Sequence, residues 1–380
     1  MKILVLGAGM VGKAMALDLA KNHEVTSADK NSEALKKVEL SDSSISTQLL
    51  DVSVQKELKT VLKPYDLIVS AVPGFLGYEV LKTIIESGKD VVDISFFPED
   101  GLLLDKLARA KGVTAIIDCG VAPGMGNLIL GQLDTQMKVT DFECLVGGLP
   151  KHRKWPFCYK APFSPVDVIE EYTRPARYVE NSQTIVKPAL TDCEYVEFEK
   201  TGTLESFNSD GLRSIIQTMP HIANMKEKTL RYPGHVEYIR VLKESGFFDQ
   251  NPVDINGVKI SPLDFTSAVL FNEWKLGEEE EELTVMRVTV KGKNSEGQVE
   301  RVVYHLFDEY DKATKTSSMA RTTGYTATAV ANILMERIFN DKGVFPPELL
   351  GRHEACFGFV MNYLNERGVV YRKEREVLSQ

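Results

Sequence analysis

Residues 2–12 read KILVLGAGMVG, and this stretch decides the fold of the first half of the chain. The apolar run before Gly7 predicts a β-strand that is buried on both faces. Gly7, Gly9 and Gly12 then match the spacing G-x-G-x-x-G at the start of a helix predicted to reach about Lys21. Gly7 permits a tight turn, Gly9 lets the backbone approach a pyrophosphate, and Gly12 lets the helix pack close to the strand. The alternative interpretation is a plain turn between a strand and a helix.

A dinucleotide held in this turn places its phosphates at the N-terminus of the helix. Asp29 follows the next predicted strand, residues 24–28, where its carboxylate suits the ribose hydroxyls of NAD and repels the 2′-phosphate of NADP. Lys30 comes directly after it and could tolerate that phosphate, so NADP is the alternative cofactor. The predicted cofactor-binding residues are Gly7, Gly9, Met10, Val11, Gly12, Asp29, Lys30, Asp51, Ala71, Val72 and Pro73.

Strands and helices alternate through the rest of this half. The predicted strands cover residues 2–6, 24–28, 67–72, 90–94 and 113–117, with a short one ending at residues 50–52. This alternation is typical of a parallel sheet built by right-handed crossovers, so we predict an α/β, Rossmann-type domain over residues 1–124. Ligands of such sheets bind outside the carboxyl ends of the strands. Asp93, Asp118 and Cys119 end two of these strands and are expected on that rim.

The pattern changes after this domain. The strands predicted here include residues 142–146, stopped by Gly147 and Gly148, and an antiparallel hairpin formed by residues 283–291 and 298–307. They predict an α+β domain over residues 125–319. Helical patterns return over residues 320–380, and terminal helices of this kind often pack back on the first domain.

The composition excludes several classes of protein. The chain of 380 residues carries 54 acidic and 45 basic residues, a net charge of -9, so no nucleic-acid partner is expected. The five cysteines form no CxxC pair and the six histidines share no ligand spacing, so neither a disulfide framework nor a metal site is predicted. Apolar stretches are too short for a membrane helix or a signal peptide, which makes the cytoplasm the expected location.

A series of short motifs follows the glycine-rich turn in a characteristic order. They are DCGVAPGM at 118–125, VGGLP at 146–150, YK at 159–160, FSP at 163–165, EYTRPAR at 171–177, DGLRS at 210–214, LRYPGH at 230–235, SSM at 317–319 and GVFPPE at 343–348. Together they resemble the saccharopine dehydrogenase superfamily, and among its members the short lysine 6-dehydrogenases most of all. Phe163 stands where a tryptophan is often found, which bears on the choice of substrate.

The resemblance implies a Rossmann domain, a second domain that binds substrate and forms a homodimer, and helices that return to the first domain. It implies oxidation or reduction of a C–N bond at a lysine ε-carbon with a nicotinamide cofactor. In the leading interpretation lysine gives a hydride to NAD, ammonia leaves, and 2-aminoadipate 6-semialdehyde forms and cyclises. The alternatives are a saccharopine dehydrogenase or a related carboxyamine dehydrogenase, and a non-catalytic NAD-binding protein. The sheet edge at residues 298–307 is a candidate surface for dimer pairing, and a monomer is the alternative.

This chemistry requires a group that takes a proton from the substrate ammonium and a cation that binds its carboxylate. His235, in a rigid turn, is the predicted proton shuttle, with Asp93 and Asp118 as candidates for the base. Arg231 is the preferred carboxylate ligand. The other predicted substrate-binding residues are Tyr159, Lys160, Arg213 and Tyr232, and Arg174 is a further cation considered. Structural roles are the alternative for each: a core histidine, helix-capping aspartates and surface arginines.

Overall fold

The computed structural model describes residues 1–162, 165–277 and 279–378, with 18 strands and 13 α-helices in those ranges. The strands are β1 Lys2–Leu6, β2 Glu24–Asp29, β3 Ser46–Leu49, β4 Leu67–Ser70, β5 Asp90–Asp93, β6 Thr114–Ile116, β7 Lys138–Pro150, β8 Ala176–Glu180, β9 Gln183–Lys187, β10 Glu194–Phe198, β11 Gly202–Asn208, β12 Asn224–Arg231, β13 Val253–Ile255, β14 Val258–Ile260, β15 Glu282–Lys293, β16 Val299–Glu309, β17 Gly343–Phe345 and β18 Tyr371–Val377. The helices are α1 Met10–Leu19, α2 Ser32–Ser41, α3 Gln55–Val61, α4 Gly74–Glu86, α5 Asp105–Lys111, α6 Met125–Asp134, α7 Pro165–Thr173, α8 Ile215–Thr218, α9 His235–Glu244, α10 Pro262–Trp274, α11 Ser318–Met335, α12 Pro347–Gly351 and α13 Glu354–Glu366.

The first sheet has seven parallel strands in the order β17-β6-β5-β4-β1-β2-β3. Residues 3–6 of β1 are fully buried because apolar side chains pack on both faces of the sheet. The chain switches direction across the sheet between β3 and β4, which places a crevice beside β1. The α/β fold class with a Rossmann-type sheet is therefore confirmed.

The second sheet contains nine strands, with the main order β10-β11-β12-β7-β15-β16-β18 and the β8–β9 hairpin attached to β12. The predicted hairpin is present as β15 and β16, which pair along their whole length. The prediction that a strand stops at Gly147 was wrong, since β7 continues to Pro150. A Cβ on Gly147 would lie only 2.7 Å from the carbonyl oxygen of Leu230, so glycine here permits close packing of β12.

The C-terminal segment contacts both sheets. Helix α11 packs on α1 and β17 extends the first sheet beside β6, so this part returns to the first domain. The segment is not purely helical, however, because β18 pairs with β16 in the second sheet. That pairing covers the edge at residues 298–307, so this edge is not free for a second copy of the chain. The prediction that this edge is a surface for dimer pairing was therefore wrong.

Asp18 anchors this return. Its buried carboxylate accepts hydrogen bonds from Thr328 on α11, at 2.7 Å, and from Tyr363 on α13, also at 2.7 Å. The Arg367 guanidinium completes the set at 2.8 Å. Burial acts to raise the pKa of Asp18, but these donors together hold it below its ordinary value.

Within the described ranges, no helix is long and apolar enough to cross a bilayer. The same residues contain no group of three or more acidic, histidine or cysteine side chains arranged to hold a metal ion.

Candidate active site

One large cavity, of about 1690 Å³, lies between the carboxyl ends of the first sheet and the inner face of the second. On one side it is lined by the segments that follow β1, β2, β3, β4, β5 and β6. On the other side it is lined by parts of β7, β12 and α7 and by the start of α11. This is where ligands of open parallel sheets bind, and the volume exceeds that of a typical small-molecule site. A dinucleotide and a small substrate can occupy it together.

The glycine-rich turn forms the cavity wall after β1. Gly7 adopts a positive φ of 96°, and a Cβ there would lie 2.5 Å from the carbonyl oxygen of Ala71. A Cβ on Gly12 would lie 2.0 Å from the carbonyl oxygen of Gly7, so the helix packs directly on the turn. Gly9 differs, because a Cβ there would meet no atom within 4 Å and would enter the space above the helix N-terminus. That open space is the expected position of the pyrophosphate.

Asp29 holds the next part of the site. One of its carboxylate oxygens accepts a hydrogen bond from the Ala8 N–H at 2.7 Å, and the other accepts from the Asn31 N–H at 2.8 Å. The side chain thus ties the glycine turn to the end of β2, beside the cavity. All of the predicted cofactor-binding residues line this one cavity, and they are Gly7, Gly9, Met10, Val11, Gly12, Asp29, Lys30, Asp51, Ala71, Val72 and Pro73.

Arg231, at the end of β12, lies on the opposite side of the cavity and is 2 % exposed. Its guanidinium donates to the Glu171 carboxylate at 2.7 Å and to the Tyr172 hydroxyl at 3.2 Å. The guanidinium carbon also lies 4.4 Å from the centre of the Tyr159 ring. These contacts fix a buried cation at the cavity. The sequence analysis selected Arg231 but not its partner Glu171.

His235 lies beneath this cation and not in the cavity lining. One ring nitrogen is 2.9 Å from the Tyr172 hydroxyl and the other is 2.9 Å from the Phe157 carbonyl oxygen. Burial and the nearby Arg231 lower the pKa of His235 to about 3, which keeps the imidazole neutral. A buried neutral ring without access to the cavity is poorly placed to carry protons. The structure therefore favours the alternative reading, in which His235 holds Tyr172 and through it Arg231.

This environment predicts an acid-sensitive fold. The folded state disfavours protonated His235 and the unfolded state does not, so stability is present above about pH 6.5 and is lost as the pH falls towards 3. His235→Gln should remove about 2 kcal/mol of the stability change between pH 7 and pH 5. Urea unfolding at both pH values measures this difference. His221→Gln is the control, since His221 is half-exposed beside Asp134, and an equal effect of both variants would contradict the assignment.

The two predicted aspartates lie just outside the cavity lining. Asp118 forms an ion pair with Arg213 at 2.8 Å, and Arg213 also donates to the Phe97 carbonyl oxygen at 2.8 Å. Arg213 thus joins the two domains and does not reach a substrate. Asp93 is fully buried and accepts from the Ser95 hydroxyl and N–H, while burial raises the pKa of its carboxyl to about 7. Neither aspartate is placed to act as the substrate base.

Three further side chains predicted to bind the substrate lie outside the cavity lining. Lys160 donates to the Glu273 carbonyl oxygen at 2.5 Å, and the Tyr232 hydroxyl donates to the Pro150 carbonyl oxygen at 3.0 Å. Tyr159 is buried beneath Arg231 and supports it without lining the cavity. Arg174 does line the cavity, paired with Glu170 at 3.1 Å. The motif residue Phe163 lies outside the described residues.

Glu227 lines the cavity and was not predicted. It lies on β12 in the run Lys-Glu-Lys, a charged sequence that is typical of a solvent-exposed strand. In the structure Glu227 is 4 % exposed, and no charge pattern within the strand distinguishes it from a surface glutamate. Its burial comes from packing against Gly211, which belongs to another part of the chain.

The fold and the cavity define a protein that combines a Rossmann-type dinucleotide-binding sheet with a second sheet around one shared cavity. Residues 3–116 match the family model for the saccharopine dehydrogenase NADP binding domain, and residues 120–369 match the model for the saccharopine dehydrogenase C-terminal domain. The chain belongs to the saccharopine dehydrogenase family, as the resemblance implied. The first domain is an NAD(P)-binding domain.

Relatives support this assignment at low identity. The chain is 22% identical to the mouse mitochondrial alpha-aminoadipic semialdehyde synthase over 99% of its own length and 48% of that protein. It therefore spans about half the length of this curated relative. It is also 22% identical to the Synechocystis carboxyaminopropylagmatine dehydrogenase, over 91% of this chain and 92% of that protein. The solved structure of the apo saccharopine dehydrogenase (L-Glu forming) from Saccharomyces cerevisiae has the same fold, with a TM-score of 0.80, 18% identity and coverage of 99% and 100%.

Proposed function

We propose that this protein is an NAD-dependent dehydrogenase that oxidises the ε-carbon of L-lysine and releases ammonia. The observation that carries the proposal is the single cavity, which runs from the dinucleotide turn to the buried Arg231. Such a cavity brings a carboxylate-binding cation and a hydride acceptor to the same small molecule. The products are 2-aminoadipate 6-semialdehyde, which cyclises, and ammonia.

The residues of the chain supply binding and geometry. The N–H groups at the start of α1 hold the pyrophosphate, and Asp29 receives the ribose hydroxyls, which favours NAD over NADP. The bound nicotinamide supplies the hydride acceptor. Arg231, already oriented by Glu171 and Tyr172, holds the substrate carboxylate and so fixes the position of the far amino group.

The charges around the cavity favour a substrate with one carboxylate over saccharopine, which has three. The nearby arginines are each engaged with a carboxylate of the protein. The pairs are Arg231–Glu171, Arg174–Glu170, Arg177–Asp210 and Arg213–Asp118, with N–O distances of 2.7 to 3.1 Å. One substrate carboxylate can share the Arg231 guanidinium with Glu171, whereas the two further carboxylates of saccharopine would meet arginines that are already paired with carboxylates of the protein.

A carboxyamine dehydrogenase is the second candidate. It is favoured by the Synechocystis relative, which this chain matches over nearly the full length of both proteins. Its substrate would carry a carboxyalkyl group on the nitrogen where lysine carries only hydrogen. The buried cation and the cavity volume accommodate both substrates. The two functions are therefore distinguished by their reaction products and not by the fit of the substrate.

The test is a reduction assay at the NADH absorbance band. The purified protein is mixed with NAD or NADP and then with L-lysine, saccharopine, carboxyalkylated diamines and unsubstituted diamines in turn. The proposal expects reduction of NAD with lysine alone, with one ammonia released per NADH formed. Reduction only with a carboxyalkylated amine would transfer the assignment to the second candidate. Cofactor binding without turnover of any of these amines would indicate a non-catalytic dinucleotide-binding protein.

A further inference from the structure

Glu227 is a buried carboxyl that the proposed binding scheme does not use. Its side chain lines the cavity and is 4 % exposed. Within the described part of the chain, its Oε2 atom has no hydrogen-bond partner. A buried carboxylate without a partner is costly, so its presence at a ligand cavity calls for a function.

The position of this carboxyl depends on Gly211. A Cβ at Gly211 would lie 1.8 Å from Oε1 of Glu227, so any larger residue would displace the carboxyl from its place. The strand beneath is held as well, because the Tyr178 hydroxyl donates to the Glu227 carbonyl oxygen. The side chain is thus supported on its inner side and forms part of the cavity lining.

The charges that face Glu227 come from four neighbouring parts of the fold. They are Asp210 and Arg213 after β11, Glu171 on α7, Asp118 after β6, and the Cys144 thiol on β7. Burial and the three carboxylates together raise the pKa of Glu227 to about 8, against the smaller lowering effect of Arg213. Arg213 is occupied by Asp118, which leaves the Glu227 carboxyl without a cation of its own.

We propose that Glu227 binds the reacting ammonium group of the substrate and takes a proton from it before the hydride leaves. This inference rests on the proposed function and names the base for it. The N–H bond breaks and the proton moves to the Glu227 carboxylate, so the amine nitrogen regains its lone pair. A nicotinamide bound at the glycine-rich turn would supply the acceptor for the C–H hydride, and the nitrogen lone pair would form the C=N bond. Atoms and charge balance without a further reactant.

Other buried carboxyls are engaged in the fold. Glu282 accepts from the Met319 N–H at 2.8 Å at the start of α11, and burial raises its pKa to about 8. Glu348 accepts from Thr218 at 2.7 Å and from Asn127 at 3.0 Å. Neither lines the cavity. Glu282 is therefore a control for Glu227: burial and pKa are similar, and within the described residues its Oε2 also has no hydrogen-bond partner. It differs in its bond from the Met319 N–H and in lying away from the cavity lining.

The first measurement compares Glu227→Gln with Glu282→Gln, using the amine identified in the reduction assay. Glu227→Gln should lower kcat by about 10²- to 10⁴-fold and remove the pH dependence of kcat between about pH 6 and pH 9. Its affinity for NADH should stay within twofold. Glu282→Gln should keep kcat within threefold. Near-normal kcat and an unchanged pH profile in Glu227→Gln would overturn the inference.

A second measurement needs no turnover. The contribution of Glu227 to the free energy of unfolding should fall as the pH rises from about 5 to 8, because the folded state retains a proton on Glu227 that the unfolded state has lost. Glu227→Gln should lack this contribution, so its difference from the wild type in the free energy of unfolding should decrease over the same pH range. It should also weaken binding of 1,5-diaminopentane to the NADH complex at least tenfold, measured by calorimetry, whereas Glu282→Gln should not. Equal diamine binding in both variants would overturn the inference, whether or not lysine is the substrate. A silent reduction assay with a large Glu227 effect on diamine binding would overturn only the proposed function.

Discussion

Gly9→Val is expected to abolish dinucleotide binding while leaving the protein folded. The backbone of Gly9 has φ -67° and ψ -174°, which an ordinary residue adopts, and a Cβ there meets no protein atom within 4 Å. The valine side chain would instead occupy the space of the pyrophosphate. We expect the affinity for NADH to fall at least about 100-fold, equivalent to about 2.7 kcal/mol. NADH fluorescence titration measures the affinity, and urea unfolding should show a loss of less than about 1 kcal/mol.

Gly12→Val is the matched control, because it places the same side chain three residues away in the same turn. Here the Cβ would lie 2.0 Å from the Gly7 carbonyl oxygen, so the helix cannot keep its position against the turn. This variant should lose both stability and binding. If Gly9→Val bound NADH with near-normal affinity, the glycine-rich turn would not be the pyrophosphate site.

Arg231→Met should damage both stability and substrate binding. Methionine fills much of the same volume but leaves Glu171 without its cation in a low-dielectric environment. Loss of one partner from a buried pair costs about 3 to 5 kcal/mol, and we expect about 2 to 3 kcal/mol here because 21% of the Glu171 side chain remains exposed. KM for the amino-acid substrate should rise by about 100-fold, since a charged hydrogen bond to the carboxylate is lost.

The double variant Arg231→Met, Glu171→Gln separates these two effects. Removing both charges should restore most of the stability, because no unpaired ion stays buried. It should leave KM as high as in Arg231→Met, because the carboxylate ligand is still missing. Recovery of a normal KM in the double variant would show that Arg231 stabilises the fold but does not bind the substrate. Urea unfolding and steady-state kinetics on the wild type and these two variants supply the comparison.

How well the sequence predicted each part of the site depended on how far apart in the chain the interacting residues lie. The glycine-rich turn is local, so its spacing alone placed Gly7, Gly9 and Gly12 beside the cavity. The parallel order of the first sheet followed from the regular alternation of strands and helices. His235 was misjudged because its surroundings are distant: Tyr172 is 63 residues away and Phe157 is 78 residues away. No local pattern reports that a histidine will be enclosed and held neutral.

The polar side chains predicted to bind the substrate show the same limit. Arg213, Lys160 and Tyr232 stand in turns and irregular segments, where a side chain that reaches a ligand and one that ties the fold together look alike in sequence. In the structure they bind Asp118, the Glu273 carbonyl oxygen and the Pro150 carbonyl oxygen respectively. These hydrogen bonds hold the three side chains outside the cavity lining. The sequence analysis selected Arg231, which lines the cavity, but could not supply its carboxylate partner.

The sequence by itself determined the dinucleotide-binding half of this protein and its family. Short-range spacing of glycine and apolar residues is sufficient there, because a strand, a tight turn and a helix N-terminus are made by consecutive residues. The tertiary structure decided which charged groups face the cavity and that β18 covers the edge of β16. It also decided that Glu227 on β12 is buried, with no hydrogen-bond partner for its Oε2 among the described residues. These properties depend on desolvation and on partners far apart in the chain, and both arise only when the two sheets pack around a common cavity.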